Sequence, residues 1–287
     1  MLAQRVITAV VLLAVLLGAL AAPSPWPLIL LLVLAAACAL WEWLRLTVSA
    51  GADNVAVVIA VILGGVMLFC ATGWIRGGDM AHWASWVSYV SNGWLIPAVV
   101  LGWLIVGTTL VVQGRTDAPA SSSGLRIFAI FAVWSAWAAL VQFYLAFGAW
   151  FLISLLALIW FADVGAYFAG KAFGRRKLAP RVSPGKSWEG AIAGVLAAVI
   201  WVAVSSQWQG SFGAALVQGW SWAGALALSA LLAALSIIGD LFESLLKRRA
   251  GRKDSSALLP GHGGVYDRID ALLPVAPTAF LLVSIAA

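Results

Sequence analysis

Apolar residues run through this chain in blocks long enough to cross a bilayer, separated by short polar stretches. About 20 apolar residues suffice to span hydrocarbon as a helix. About nine blocks qualify, at roughly 5–22, 26–45, 54–75, 93–113, 127–146, 149–169, 188–207, 221–246 and 270–286. The fifth and sixth are divided at Phe147-Gly148. Arg5, an apolar core and "GALAA" before Pro23 have the order of a signal peptide. The long run and the second block directly after it favour an uncleaved first helix instead. The stretch 76–93, with two Trp and one Tyr, reads as interfacial. "QGRTDAPASSSGLR" (113–126) reads as a flexible loop. It divides a weakly specified scaffold, 1–126, from a chemically loaded region, 127–287.

Composition strengthens this reading. The chain is 63% hydrophobic and 10% charged with 17 Trp, and its mean hydropathy is +1.02. These values predict an all-α polytopic integral membrane protein and exclude a soluble globule. Cys38 and Cys70 both fall inside spans, so neither a disulfide framework nor a cysteine metal cluster is expected.

Charge then sets the orientation. With nine spans and a cytoplasmic N-terminus, every Lys and Arg except Arg76 lies on the inner face, as the positive-inside rule asks. The expected location is the plasma membrane, with the chemistry on its cytoplasmic side and no nucleic-acid partner. Twelve of the 17 basic and seven of the 11 acidic residues lie between Asp163 and Asp270. A basic loop alone is a topology signal or an attraction to anionic headgroups. It does not explain acids at the ends of spans.

Three segments hold those acids. In the first, 162–190, Asp163, Tyr167 and Gly170 share one helical face. A carboxylate at bilayer centre costs roughly 2.5–3.5 kcal/mol, less near the interface, so such residues usually face a polar cavity. "PGKS" (184–187) mimics the tail of a phosphate-binding P-loop, but Pro180 stands where a Gly is needed and a membrane span precedes it. Gly185, Lys186 and the helix opening at Ser187 still suit an anion, and Glu189 reads as either a helix cap or a site residue. In the second, 237–254, Asp240, Glu243, Ser244 and Lys247 form one polar stripe, followed by Arg248, Arg249, Arg252 and Lys253. In the third, "PGHGGVYDRID" (260–270), His262 stands among three glycines, and Asp267-Arg268-Ile269-Asp270 leads into the last span. Each feature alone has a structural explanation. Together, carboxylates from three spans at one depth suit Mg²⁺, which needs one or two of them plus ligand phosphates. The cations suit phosphate oxygens.

The run Ser244-x-Leu246-Lys247-Arg248-x4-Lys253-Asp254-x-Ser256-x2-Leu259-Pro260-x-His262-Gly263-Gly264-Val265-x-Asp267-Arg268-Ile269-Asp270 resembles the signature of the phosphatidate cytidylyltransferase (CDP-diacylglycerol synthase) family. Residues 163–190 resemble its second block. "AQRVITA" and "WEWLRL" (41–46) are weaker echoes, and 48–125 shows almost nothing specific. The resemblance implies a Mg²⁺-dependent nucleotidyltransferase that makes CDP-diacylglycerol and pyrophosphate from CTP and phosphatidate, as a step of phospholipid biosynthesis. It implies Asp240 and Asp267 as metal ligands, and phosphate-neutralising roles for Lys186, Lys247, Arg248 and Arg268. It further implies a nucleotide pocket lined by Ser183, Ser244, His262, Gly263 and Gly264 and completed by Asp163 and Tyr167. It favours a homodimer, which the sequence alone leaves open: Gly190-x-x-x-Gly194 can pack helices within one chain or between two. Two rivals remain, a CTP-dependent enzyme acting on an ether or polyprenyl lipid, and an ion-coupled transporter. The transporter reading wants an internal repeat and midplane acids that this chain does not show.

Overall fold

Helices dominate because each satisfies its own backbone in hydrocarbon, and the chain caps them with short polar residues. The computed structural model describes residues 2–48, 53–76 and 81–286. In order come α1 (Leu2–Ala21), α2 (Trp26–Thr47), α3 (Asp53–Arg76), α4 (Ala81–Val90), α5 (Ile96–Gly102), α6 (Thr108–Gln113), α7 (Ser123–Phe173), β1 (Lys177–Ala179), β2 (Ser183–Ser187), α8 (Trp188–Ser205), α9 (Phe212–Arg249), α10 (Tyr266–Ile269) and α11 (Leu272–Ala286). Ser122, Ser187 and Ser211 start α7, α8 and α9, each hydroxyl accepting a backbone N–H three residues on.

Among the described residues, seven helices are long and apolar enough to cross a membrane. The apolar pattern predicts nine blocks, and the difference has two sources. The apolar stretch of α1, Val6–Ala21, is shorter than the rest. The fifth and sixth blocks form one element, α7, of 51 residues. Its helical geometry is interrupted at Gly148 (φ 80, ψ −173), where the sequence places the division. Likewise α9 is interrupted at Ser221 (φ 63, ψ 172), the expected start of the eighth block, but a further helical stretch from Phe212 precedes it.

Two other expectations change. The part of 76–93 from Ala81 onward does not stand apart from the fourth block. From Ala81 the chain is helical through α4, α5 and α6, joined by π-turns at Ser91–Leu95 and Trp103–Gly107. Residues 77–80 lie outside the described residues. The first π-turn is held from α7: Asn92 and Gln142 exchange amide hydrogen bonds of 2.8 and 3.1 Å, and Trp134 Nε1 donates to Ser91 Oγ at 3.1 Å. The all-α expectation also misses a small antiparallel hairpin, β1–β2, paired Lys177 with Ser187 and Ala179 with Ser183. Pro180 and Pro184 end any helix there, and the extended backbone that remains finds its partner in itself.

Packing relies on small residues, since lipid tails compete with any apolar contact between helices. The Gly190/Gly194 face lies against α7 within the same chain. A Cβ on Gly194 would come 2.6 Å from Ala162 O, and one on Gly190 would come 2.8 Å from Ala166 O. The core divides in two. The first cluster joins α2, α3, the first half of α7 and the charged end of α9. The second joins the latter half of α7 to α8, α9 and α11. Trp43 lies at the centre of the first, stacked on Tyr266 (5.3 Å, 9°) and tilted against Phe242 (5.2 Å) and Trp103 (6.1 Å). Each such pair adds about 0.5–1.5 kcal/mol beyond burial.

Candidate active site

The polar stripe of α9 turns inward. Asp240, Glu243 and Lys247 line a cavity of about 540 Å³, together with Asp163 and Trp160 of α7, Asp254 of the following loop, and Asp267, Arg268 and Asp270 around α10. A second cavity of about 380 Å³ shares Asp163 and Asp240 with the first, and adds Tyr167, Gly170, Lys171 and Lys186. The expected face of Asp163, Tyr167 and Gly170 is thus the wall of one chamber. The structure brings together Asp163, Tyr167, Lys186, Asp240, Lys247, Asp267 and Arg268.

Three carboxylates of this site, Asp240, Glu243 and Asp267, are held by lysines. Lys247 Nζ lies 2.6 Å from Glu243 Oε2 and 2.6 Å from Asp267 Oδ1. Glu243 is 1% exposed, so the lysine offsets a charge that burial would otherwise make costly. Asp267 Oδ2 accepts from Ser255 N (3.0 Å), Gly264 N (2.9 Å) and Ser255 Oγ (2.5 Å). Lys186 Nζ, carried by β2, pairs with Asp240 Oδ2 at 2.5 Å. Each lysine stands where a phosphate oxygen could replace its carboxylate.

Of the other expected residues, Arg248, Ser183, Ser244 and the turn at His262, Gly263 and Gly264 line neither cavity, while Arg268 lines the larger one and also braces the glycine loop. Arg248 Nε donates to Val182 O at 3.3 Å and ties the hairpin to α9. Arg268 Nη2 donates to His262 O at 2.7 Å, bracing the glycine loop it follows. Ser183 sits at the start of β2 and Ser244 on the flank of α9, and neither lines the two cavities. His262, Gly263 and Gly264 form a turn closed by Leu259 N to Gly263 O at 2.8 Å. Gly263 has φ +86, which L side chains rarely adopt, and a Cβ on Gly264 would collide with Ser255 Oγ and the Glu42 carboxylate. These glycines shape the loop that holds Asp267.

Glu189 holds the chain just before the hairpin as well as standing at the start of α8. Ser187 Oγ performs the capping, accepting from Gly190 N at 3.2 Å. The Glu189 carboxylate instead accepts from Arg175 N (3.1 Å) and Arg176 N (3.3 Å), and lies 3.8 Å from Arg176 Nε. It fastens the entry of the hairpin that carries Lys186.

Sequence reasoning misses one residue. Glu42, on α2, is 0% exposed and accepts from Ser256 Oγ (2.5 Å), Val265 N (3.1 Å) and Tyr266 N (2.6 Å). The Ser255 hydroxyl lies 3.1 Å from Glu42 Oε2 and 2.5 Å from Asp267 Oδ2, with one proton to give. Glu42 therefore anchors the loop that positions Asp267. The signal available in the sequence is a carboxylate inside the apolar run "LWEWL".

A divalent cation can be tested against these residues. Among the described residues, no three His, Cys, Asp or Glu side chains converge tightly enough to hold a metal alone. Yet six carboxylates face the larger cavity against Lys247 and Arg268. An excess of acid in a chamber flanked by phosphate-binding cations fits a cation shared with a ligand's phosphates, since Mg²⁺ usually takes one or two carboxylates and keeps its other positions for ligand and water.

Comparison with known proteins agrees with this chemistry. The model of the cytidylyltransferase family matches residues 3–286. The phosphatidate cytidylyltransferase of Haemophilus influenzae is 48% identical over 130 residues, 45% of this chain and 44% of that protein. That of Pseudomonas aeruginosa is 41% identical over 184 residues, 62% of this chain and 65% of that protein. That of Helicobacter pylori is 37% identical over 190 residues, 66% of this chain and 65% of that protein. The matched region thus spans about half to two thirds of these relatives' lengths.

Proposed function

We propose that this chain, which belongs to the cytidylyltransferase family, transfers the cytidylyl group of CTP to phosphatidate, giving CDP-diacylglycerol and pyrophosphate. The observation that carries the proposal is the pair of lysine–carboxylate contacts, Lys186 with Asp240 and Lys247 with Asp267, facing two joined cavities between α10 and the charged parts of α7 and α9. The names of the relatives supply the substrates.

The chemistry asks little of a general base. A phosphatidate phosphate oxygen attacks the α-phosphorus of CTP, the bond from that phosphorus to the bridging oxygen breaks, and pyrophosphate leaves with the electron pair. Any proton on the attacking phosphate passes to water. Catalysis then rests on positioning and on charge neutralisation. Lys186 and Lys247 exchange carboxylate for phosphate oxygens, and Arg268 adds charge at the rim. Asp240 and Asp267 would hold Mg²⁺, which supplies Lewis-acid polarisation of the nucleotide phosphates. Arg248, Ser183, Ser244 and the turn at His262, Gly263 and Gly264 support the pocket from outside, while Asp163 and Tyr167 form its far wall.

The finer arrangement belongs to the same proposal. The chain crosses a plasma membrane nine times with its N-terminus in the cytoplasm, so that phosphatidate arrives from the inner leaflet and CTP from the cytosol. Residues 1–126 are scaffold and 127–287 carry the site, with Glu42 crossing that division. The Gly190/Gly194 face is occupied internally, so a homodimer would use another surface.

The test is pyrophosphate release by detergent-purified protein given CTP and Mg²⁺, with and without phosphatidate. Lipid-dependent release with CDP-diacylglycerol formed is expected. Release that follows an ether or polyprenyl phosphate instead would replace the lipid, and no release with any of them would overturn the reaction.

A further inference from the structure

A broad groove lies outside the polar cavities. It encloses about 810 Å³ between α6, the hairpin, α8 and α9, within the usual range of ligand sites. Its walls are almost wholly apolar, with Val112, Trp188, Ile192 and Leu196 exposed along it and Ala234 on its floor.

The groove has a direction. Gln113, Arg181, Trp188 and Leu241 line the end nearest the charged loops, and Leu104, Leu196 and Leu231 line the other. From Leu231 to Leu241 the wall rises about 15 Å at 1.5 Å per residue. That is about half of the roughly 30 Å hydrocarbon core, the depth of one leaflet. At the charged end the groove joins the site. Leu178, Ala191 and Ile237 line both the groove and the cavity that contains Lys186 and Asp240. A ligand here therefore has an apolar tail reaching the depth of a single leaflet and a head that meets Lys186.

We infer that this groove holds one acyl chain of the lipid substrate, with its phosphate turned through Leu178, Ala191 and Ile237 toward the Lys186–Asp240 pair. The inference rests on the reaction proposed above and adds where the lipid sits and which residues read its chain. Ala191 and Ala234 leave room along the groove, and beyond Gln113 and Arg181 at the charged end and Thr108 on one wall the lining is apolar, as an acyl chain requires.

The experiment compares wild-type protein with Ala234→Phe, which places a ring in the groove from an exposed position on α9. With dioleoyl phosphatidate the variant is expected to show a KM at least fivefold higher, with the KM for CTP unchanged. With diacetyl phosphatidate, whose two-carbon chains end short of the roughly 4.5 Å between Ile237 and Ala234, the two proteins should turn over alike. Equal kinetics on the long-chain lipid, or an equal loss on both lipids, would overturn the inference. A second measurement does not need turnover: a phosphatidate bearing a diazirine near the end of one acyl chain is photolysed on wild-type protein and the adduct mapped. Adducts on α6, α8 and α9 that excess phosphatidate removes and phosphatidylcholine does not are the expected result. Adducts removed equally by both would mean bulk lipid only, and protection of the groove by a second copy of the chain would mean an interface; either overturns the proposal. Failure of wild-type protein to release pyrophosphate would overturn the reaction, while the mapping still decides the groove.

Discussion

At the scale of single residues, the site is built from charges that are already occupied. Asp267 has donors on both oxygens, so its orientation is fixed before any ligand arrives. Asp240→Asn and Asp267→Asn are each expected to lower lipid-dependent turnover by more than roughly 100-fold, the upper end of the cost of losing an outer ligand partner. The variants should remain monodisperse in detergent, and near-wild-type rates in either would remove that residue from the reaction. Glu42 acts one step back. A glutamine there has a single acceptor oxygen and brings an NH₂ group against the N–H of Val265 or Tyr266. Glu42→Gln is expected to cost about 10–100-fold in turnover and to raise the Mg²⁺ concentration needed for half the maximal rate. An unchanged Mg²⁺ dependence would mean that Glu42 stabilises the fold without positioning Asp267. The carboxylates at 163, 240 and 267 were legible in the sequence because apolar surroundings make any acid conspicuous. Their lysine partners were not, since Lys186 and Asp240 lie on different elements and no periodicity joins them.

At the scale of elements, the decisive contact is α7 against α8. Close approach at Gly165, Gly190 and Gly194 places Asp163, on α7, within one cavity with Lys186, which directly precedes α8. Gly194→Leu would force a side chain onto Ala162 O, and overpacking of this kind typically costs about 1–3 kcal/mol. A lower melting temperature in detergent is expected, with a loss of turnover that Lys186→Met does not deepen further. Full additivity of the two losses would separate the packing from the site. Helix positions were readable from apolar runs and from Ser, Gly and Pro punctuation, including the division at Gly148. The continuity of α4 through α6 was not. Its π-turns depend on Asn92 and Ser91 meeting Gln142 and Trp134 of α7, which are tertiary contacts. The hairpin escaped for a similar reason, because three- and five-residue strands are too short to show alternation.

At the scale of the whole molecule, the two halves are not independent. The scaffold half has little chemistry of its own, but Glu42 and Trp43 of α2 reach the loop and helix around Asp267 through hydrogen bonds and a stacked ring. The sequence could mark the acid in "WEWLRL" but could not name its partners, because they stand 213 to 224 residues further along. That separation is also an interval of time. A ribosome adding about 5–20 residues per second takes roughly 11–45 s to travel from Glu42 to its last donor, 224 residues on. Throughout that interval α2 is made and its carboxylate has none of the partners it will finally hold. The site therefore cannot close until residues 255–266 have been made, and a chain that stops before Ser255 carries a membrane helix whose acid lacks the partners it holds in the fold.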